Sequence, residues 1–137
     1  MQEGAETAEV LNALSGQILD AAIEVHRVLG GPGLLEGIYE EALAFELELR
    51  GLVVERQVPV PVQYKSRIVK HPLVIDLLVA KKIIVEIKSV EQFNPVYTSQ
   101  LLTYLRLTRR SLGLVINFGE RHVKNGFHRV VNKFPEF

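Results

Sequence analysis

The chain lacks cysteine, an excess of either charge sign and any long apolar run. The absence of cysteine excludes disulfide bonds and cysteine-bound iron–sulfur clusters, and it is typical of proteins in a reducing compartment. No apolar run approaches about 18 residues, and the first residues lack the basic start and apolar stretch of a signal peptide. Internal repeats and low-complexity segments are also missing. We therefore expect a soluble, cytoplasmic protein.

The length of 137 residues suits a single domain, which can bury roughly two thirds of the surface of its unfolded chain. Residues 1–14 are small, polar and acidic, which predicts a frayed or disordered amino terminus. We expect the domain itself to span residues 15–137.

The formal net charge is zero, but the charges are divided unevenly along the chain. Residues 1–50 hold ten acidic and two basic residues, so they carry a net charge of −8. Residues 51–137 hold six acidic and fourteen basic residues, so they carry +8. A local basic surface matters more for binding nucleic acid than the total charge does. The second part of the chain is therefore the candidate for such a surface.

Two apolar runs, at residues 73–79 (LVIDLLV) and 83–88 (IIVEIK), contain charged residues. Neither run alternates between polar and apolar residues, so both are predicted to be central strands covered on two faces. Burying a carboxylate is costly unless it is paired with a cation or binds a metal. Asp76, Glu86 and Lys88 should therefore compensate one another or hold a ligand.

The relative placement of these charges depends on the loop between the two strands. If residues 80–82 form the loop of an antiparallel hairpin, Asp76 falls opposite Glu86, with their side chains roughly 5 Å apart. Lys88 then projects to the same face. A two-residue loop would turn Glu86 to the opposite face, so the site depends on this register. Two facing carboxylates would repel without a cation, and we expect Asp76→Asn to relieve that repulsion.

A first helix is predicted to begin with Ser15 as its N-cap and to end at the glycine-rich turn of residues 30–33. His26 lies beside its apolar stripe, where a buried structural histidine is more common than a ligand. A further helix is predicted from Asn94-Pro95 to about Arg109, because Asn caps well and Pro suits the first turn.

A second helix is predicted over residues 34–50. Its expected buried stripe consists of Leu35, Ile38, Ala42, Phe45 and Leu49. A narrow polar face then carries Glu36, Tyr39 and Glu40. For Glu40 and its neighbour Glu41, we expect exposure to solvent.

The remaining segments are predicted to be extended. Residues 53–64 should form an edge strand or leave the sheet at the prolines, because Pro59 and Pro61 remove two hydrogen-bond donors from the same side. The basic residues 65–72 are expected to form an exposed loop or a bent hairpin with some phosphate contact. Two further strands are predicted at residues 112–118 and 126–131.

The sequence resembles one known family. Asp76, followed after nine residues by Glu86-x-Lys88, is the signature of the PD-(D/E)XK nuclease superfamily, although Ile75 stands where the name of the superfamily has Pro. Residues 33–39 (GLLEGIY) match the motif of its small GxxExxY proteins. The similarity runs from about residue 15 to 132 and includes AIEVH at 22–26, QLLTYL at 100–105 and LVINF at 114–118.

This resemblance implies an α/β fold with a restriction-endonuclease-like core, in which a mixed sheet contains a central antiparallel hairpin and carries helices on both faces. It also implies a nuclease that hydrolyses phosphodiester bonds in nucleic acid, with DNA as the expected substrate. The implied cofactor is Mg²⁺ or Mn²⁺, and its implied ligands are Asp76, Glu86, Glu36 and the carbonyl group of Ile87.

The resemblance also implies roles for other side chains. Lys88 would orient or activate the attacking water and stabilise the charge that develops on the phosphate. Gln100 and Tyr104, which form a QxxxY pattern on the third helix, would contact the nucleic-acid strand. His26 would be a possible extra metal ligand.

Two other classes of function stay open at this point. One is a nucleic-acid-binding or regulatory module that keeps the fold without turnover. The other is a structural ion-pair cluster in an interaction domain. All positions of the motif are filled, which favours the enzyme.

Overall fold

The structure, a computed structural model, describes residues 7–135. Its elements in chain order are α1 (Ala8–Val28), α2 (Glu36–Leu49), β1 (Val54–Tyr64), β2 (Arg67–Val79), β3 (Ile83–Lys88), α3 (Val96–Thr108), β4 (Leu112–Asn117), the 3₁₀ helix η1 (Val123–Gly126) and β5 (Phe127–Val131). None of the helices within residues 7–135 is long and apolar enough to cross a membrane.

The five strands form one mixed sheet in the order β1-β2-β3-β4-β5. Strands β3 and β4 are parallel, and the other three neighbouring pairs are antiparallel. Helices α1 and α2 pack on one face of the sheet, and α3 packs on the other. The predicted α/β fold, a mixed sheet with a central antiparallel hairpin and helices on both faces, is confirmed.

Strand β3 is covered on both faces, as its unbroken apolar run predicts. Ile83, Val85 and Ile87 face the helices α1 and α2, whereas Ile84 faces α3. Because side chains alternate along a strand, Glu86 and Lys88 share the α3 face with Ile84. Both charges of β3 therefore lie on the side of the sheet that α3 covers.

The three-residue loop predicted between β2 and β3 is confirmed, since Val79 pairs with Ile83. Ala80 and Lys81 both adopt the left-handed conformation, with φ values of 54° and 58°. This conformation is uncommon for residues other than glycine, and Ala and Lys are not typical of such turns. The sequence of the loop therefore gives no local signal for its conformation.

Helix α1 begins at Ala8, eight residues before the start that Ser15 as N-cap predicts. The N-cap is Thr7, whose Oγ1 accepts a hydrogen bond from the amide of Val10 at 3.1 Å, and Ser15 is buried inside the helix. The predicted frayed segment, residues 1–14, is therefore helical from Ala8, and residues 1–6 lie outside the described part of the chain. The apolar residues Leu11 and Leu14 continue the helical spacing backwards and could have revealed this start.

The predicted buried stripe of α2 is wrong, although the helix ends as predicted before Gly51, which has a φ of 85°. Leu35, Ile38, Phe45 and Leu49 are exposed. The buried residues are Tyr39, Glu40, Leu43, Ala44 and Leu47. The apolar residues of this helix lie on most of its sides, so the sequence periodicity is compatible with more than one buried face. Contacts with distant residues, described below, select the face.

Strand β1 lies at the edge of the sheet, as the two prolines predict. The basic segment after it is part of a long hairpin, because β2 already begins at Arg67 and Tyr64 pairs with Arg67. Of the two alternatives for residues 65–72, a loop or a hairpin, the hairpin is correct.

Candidate active site

The candidate site lies where strands β2 and β3 separate. Their ladder ends at the pair Leu77–Val85, so Asp76 and Glu86 are not paired through their backbones as the simple register predicts. Instead, Oδ2 of Asp76 accepts a hydrogen bond from the amide of Ile87 at 2.8 Å. The Asp76 side chain thus replaces the next rung of the ladder, and it is held beside Glu86.

Glu86 is the unsatisfied member of this pair. Its Oε1 is buried and has no hydrogen-bond partner within residues 7–135. Burial, and secondarily the neighbouring Asp76, raise the pKa of Glu86 from 4.5 to about 9, although the charge of Lys88 acts in the opposite direction. A cation or a proton is therefore needed to make this carboxyl group stable in its place.

Lys88 completes the predicted trio of charges on the α3 face. Its Nζ lies 4.6 Å from the ring centroid of Tyr97, and the positive charge of Lys88 acts to lower the pKa of Glu86. The carbonyl oxygen of Lys88 accepts a hydrogen bond from Phe118 at 2.8 Å. The backbone of the lysine is therefore held by the residue that directly follows β4, and an aromatic ring helps to position its side chain.

The predicted QxxxY pair lies on α3. Tyr104 is half-buried, and its pKa is raised by burial and then by Glu86 and Asp76. Tyr104 packs against the apolar cluster under α3 that contains Ile75 and Ile84. Gln100 is exposed one turn earlier on the helix. The structure therefore brings Tyr104 to the acidic pair, with Gln100 nearer the solvent.

The acidic residue of α2 that is linked to the site is Glu40. Gln57 donates from Nε2 to Oε1 of Glu40 at 2.8 Å and to Oδ1 of Asp76 at 3.4 Å. Arg56 lies 3.2 Å from Oε2 of Glu40. The predicted exposure of Glu40 is wrong, because its side chain is buried and these two partners of β1 compensate it. Glu36, at the first turn of α2, is exposed, and its role as a ligand stays a prediction.

His26 is buried on α1, on the face of the sheet opposite to α3. Its Nε2 lies 3.0 Å from the carbonyl oxygen of Glu120, and its ring centroid lies 6.2 Å from that of Phe118. These contacts favour the structural interpretation of this histidine.

Tyr39, the last residue of the GLLEGIY motif, closes the turn that precedes α2. Its hydroxyl group donates to the carbonyl of Gly31 at 2.7 Å and accepts from the amide of Leu34 at 3.2 Å. Its ring is stacked on Phe118, with centroids 4.6 Å apart. The motif therefore fixes α2 against β4, and this contact is one reason why the helix buries the face that it does.

A buried asparagine holds the segment that follows β3. Oδ1 of Asn117 accepts from the amides of Val90 and Gly119 at 3.0 and 2.9 Å, and its Nδ2 donates to the carbonyl of Val90 at 3.0 Å. Because Val90 comes two residues after Lys88, this network anchors the chain beside the candidate site.

The side chains present suit a hard divalent cation. Asp76 and Glu86 offer carboxylate oxygens, and Oε1 of Glu86 has no other partner in the described chain. Within residues 7–135 no group of three His, Cys, Asp or Glu side chains is arranged to hold a metal ion. Two carboxylates are nevertheless a typical protein contribution for Mg²⁺, which completes its octahedron with water and substrate phosphate.

Three residues of the site were missed from the sequence. Tyr97 lies seven residues before Tyr104, so helical periodicity could have placed it on the same face of α3. Gln57 and Asn117 left no such signal, because their partners are distant in sequence. The importance of these two polar residues depends on contacts that only the folded chain creates.

Comparison with known proteins identifies the family. A family model described as the PD-(D/E)XK nuclease superfamily matches residues 12–130. Comparisons with curated proteins and with solved structures found no significant match. The matched range contains Asp76, Glu86 and Lys88 and covers well over half of the 137 residues. The chain therefore belongs to the PD-(D/E)XK nuclease superfamily.

Proposed function

We propose that the protein is a metal-dependent nuclease that hydrolyses phosphodiester bonds in DNA. The observation that carries the proposal is the buried Oε1 of Glu86 beside Asp76, which has no hydrogen-bond partner among residues 7–135, with Lys88 on the same face of the same strand. A structural ion-pair cluster would leave no such oxygen without a partner. Membership of the superfamily supports the reaction class.

The proposed cofactor is Mg²⁺ or Mn²⁺, held by the carboxylates of Asp76 and Glu86. The side chain of Glu36 and the backbone carbonyl group of Ile87 are further candidate ligands. When bound, the cation would supply Lewis acidity toward the phosphate and make water a stronger acid. The hydrogen bond from the amide of Ile87 keeps Asp76 oriented toward β3. Gln57 ties the same carboxylate to the buried Glu40 and so restricts its motion.

The cationic side chain of Lys88 would stabilise the negative charge that develops on the phosphate and would orient the attacking water. Its contact with the Tyr97 ring limits the positions that Nζ can adopt. Tyr104 and Gln100 would position the nucleic-acid strand across the acidic pair. The hydroxyl group of Tyr104 would donate a hydrogen bond to a phosphate oxygen of that strand.

We further propose that the chain is one of the GxxExxY proteins of this superfamily. Residues 33–39 supply the motif, and the contacts of Tyr39 give its last position a physical purpose in the fold.

The test is incubation of the protein with labelled linear and circular DNA, single- and double-stranded, in Mg²⁺, in Mn²⁺ and in chelator. We expect cleavage only with metal, and we expect Asp76→Ala and Lys88→Ala to abolish it. Asp20→Ala and Lys124→Ala, which change exposed residues of the same types, are the matched controls and should retain activity. Circular dichroism shows whether each variant is folded.

Cleavage unchanged in folded Lys88→Ala would refute the role of the lysine. Binding of DNA without cleavage under any of these conditions would favour the alternative function, a nucleic-acid-binding or regulatory module on the same fold.

A further inference from the structure

The outer part of the β1–β2 hairpin extends beyond the body of the sheet. We call residues 62–72 the hairpin arm. Residues 63–72 are all exposed, including Tyr64 and Ile68, whose exposed fractions are 64% and 59%. The register shifts between Val60 and Val62, so the arm is separated from the inner hairpin by an irregularity. A two-stranded ribbon without a packed face is marginally stable by itself, so a binding partner would stabilise the arm.

All charged residues of the arm are basic. No acidic residue occurs between Arg56 and Asp76. Arg56, at the base, is compensated by Glu40. The three cations of the arm, Lys65, Arg67 and Lys70, take part in none of the ion pairs found within residues 7–135. The arm is therefore complementary to a polyanion.

The arm is also continuous with the candidate site. Strand β2 runs from Arg67 at the tip to Asp76 at the site, and the arm ends four residues before Asp76, where β2 separates from β3. A strand rises about 3.3 Å per residue, so the turn at Ser66 lies up to about 33 Å from Asp76. That distance is about one helical turn of B-DNA.

We propose that the hairpin arm binds the phosphate backbone of duplex DNA up to about one helical turn away from the Asp76–Glu86 site. This inference rests on the proposed nuclease function and names its substrate as a duplex. A two-stranded ribbon fits the major groove. Binding of single strands depends on aromatic side chains on which successive bases stack, and Tyr64 is the arm's one aromatic residue other than His71.

The test compares three proteins. The arm variant carries Lys65→Gln, Arg67→Gln and Lys70→Gln. The control variant carries Arg106→Gln, Arg109→Gln and Lys133→Gln, which removes the same charge from exposed residues near the other end of the sheet, where β4 begins. Measurement of the unfolding midpoint of each variant serves as the control for correct folding.

The measurement is the dependence of binding on salt in Ca²⁺, for a duplex of about three helical turns and for a single strand of equal length. For the duplex, we expect the slope of log K against log salt to fall by roughly 2.7 in the arm variant, since three phosphate contacts are lost. We expect a much smaller change in the control variant, and similar behaviour of the two variants on the single strand.

Equal duplex slopes for the two variants would overturn the role of the arm, even if metal-dependent cleavage is intact. A loss confined to single strands would overturn it as well. The reduced duplex slope together with no cleavage in Mg²⁺ or Mn²⁺ would support the arm and refute the nuclease proposal, so the two failures are distinguishable.

Discussion

Replacing Glu86 with Gln should stabilise the metal-free protein at neutral pH. One oxygen of the buried carboxyl group has no partner in the part of the chain that the structure describes, and the pKa of the group is raised to about 9 by burial and by Asp76. In the unfolded chain the same group titrates near 4.5. The substitution keeps the shape of the side chain and removes its ionisation.

The sign follows from proton linkage. Below pH 4.5 the carboxyl group is protonated in both the folded and the unfolded state, so the full stability is present. As the pH rises from 4.5 toward 9, the unfolded state loses this proton first, and the free energy of unfolding falls. Each pH unit is worth about 1.4 kcal/mol, so the interval from about pH 5 to about pH 7 could cost up to about 2.7 kcal/mol. Because the side chain is not completely buried, we expect about 1–2 kcal/mol.

Urea unfolding in chelator at a series of pH values measures this effect. We expect the stability of Glu86→Gln relative to the parent to increase steadily as the pH is raised. Glu91→Gln, at an exposed position, is the matched control and should follow the parent. If the free energies of unfolding of the parent and Glu86→Gln changed in parallel with pH, ionisation of this carboxyl group would not be what destabilises the metal-free protein.

Metal should reverse the order of stability. At a cation concentration a hundred times the dissociation constant, the parent should gain roughly 2.7 kcal/mol, and Glu86→Gln, which lacks a charged ligand, should gain much less. A variant that gains as much as the parent would show that Glu86 does not bind the cation.

Three further substitutions test other contacts by urea unfolding in chelator. Asp76→Asn should lose about 1 kcal/mol, because Asp76 accepts hydrogen bonds with both oxygens and Asn offers one acceptor; a gain in stability would restore the simple repulsion hypothesis. Tyr39→Phe should lose about 1–2 kcal/mol with its two hydrogen bonds, and an unchanged midpoint would contradict that role. Asn117→Leu should cost about 3 kcal/mol or more, because three backbone groups lose their partner; tolerance would show that water replaces the amide.

The stability prediction for Asp76 shows where the sequence was insufficient. Two facing carboxylates suggested that Asp76 could be neutralised with a gain in stability. In the structure the Asp76 side chain replaces a rung of the ladder by accepting from the amide of Ile87, whereas Glu86 has an oxygen without a partner. The repulsion is shared, but only one of the two residues has compensating hydrogen bonds.

The sequence by itself determined the elements whose signals are local. The apolar runs predicted two strands covered on both faces, which holds for β3 and for β2 from Ile75 onward, whereas Val74 is exposed. The spacing of Val79 and Ile83 predicted the three-residue loop, and the two prolines predicted the edge strand. These features depend on side-chain alternation, turn length and missing backbone donors, which act between near neighbours in the chain.

Only the tertiary structure decided which face α2 buries and which of its acids is linked to the site. Tyr39 is buried because it stacks on Phe118, and Glu40 is buried because Arg56 and Gln57 compensate its charge. Those partners are many residues away, and a helix with apolar residues on several sides has no local preference strong enough to choose between its faces. The position of Glu40 was therefore a result of packing, which no periodicity in the sequence contains.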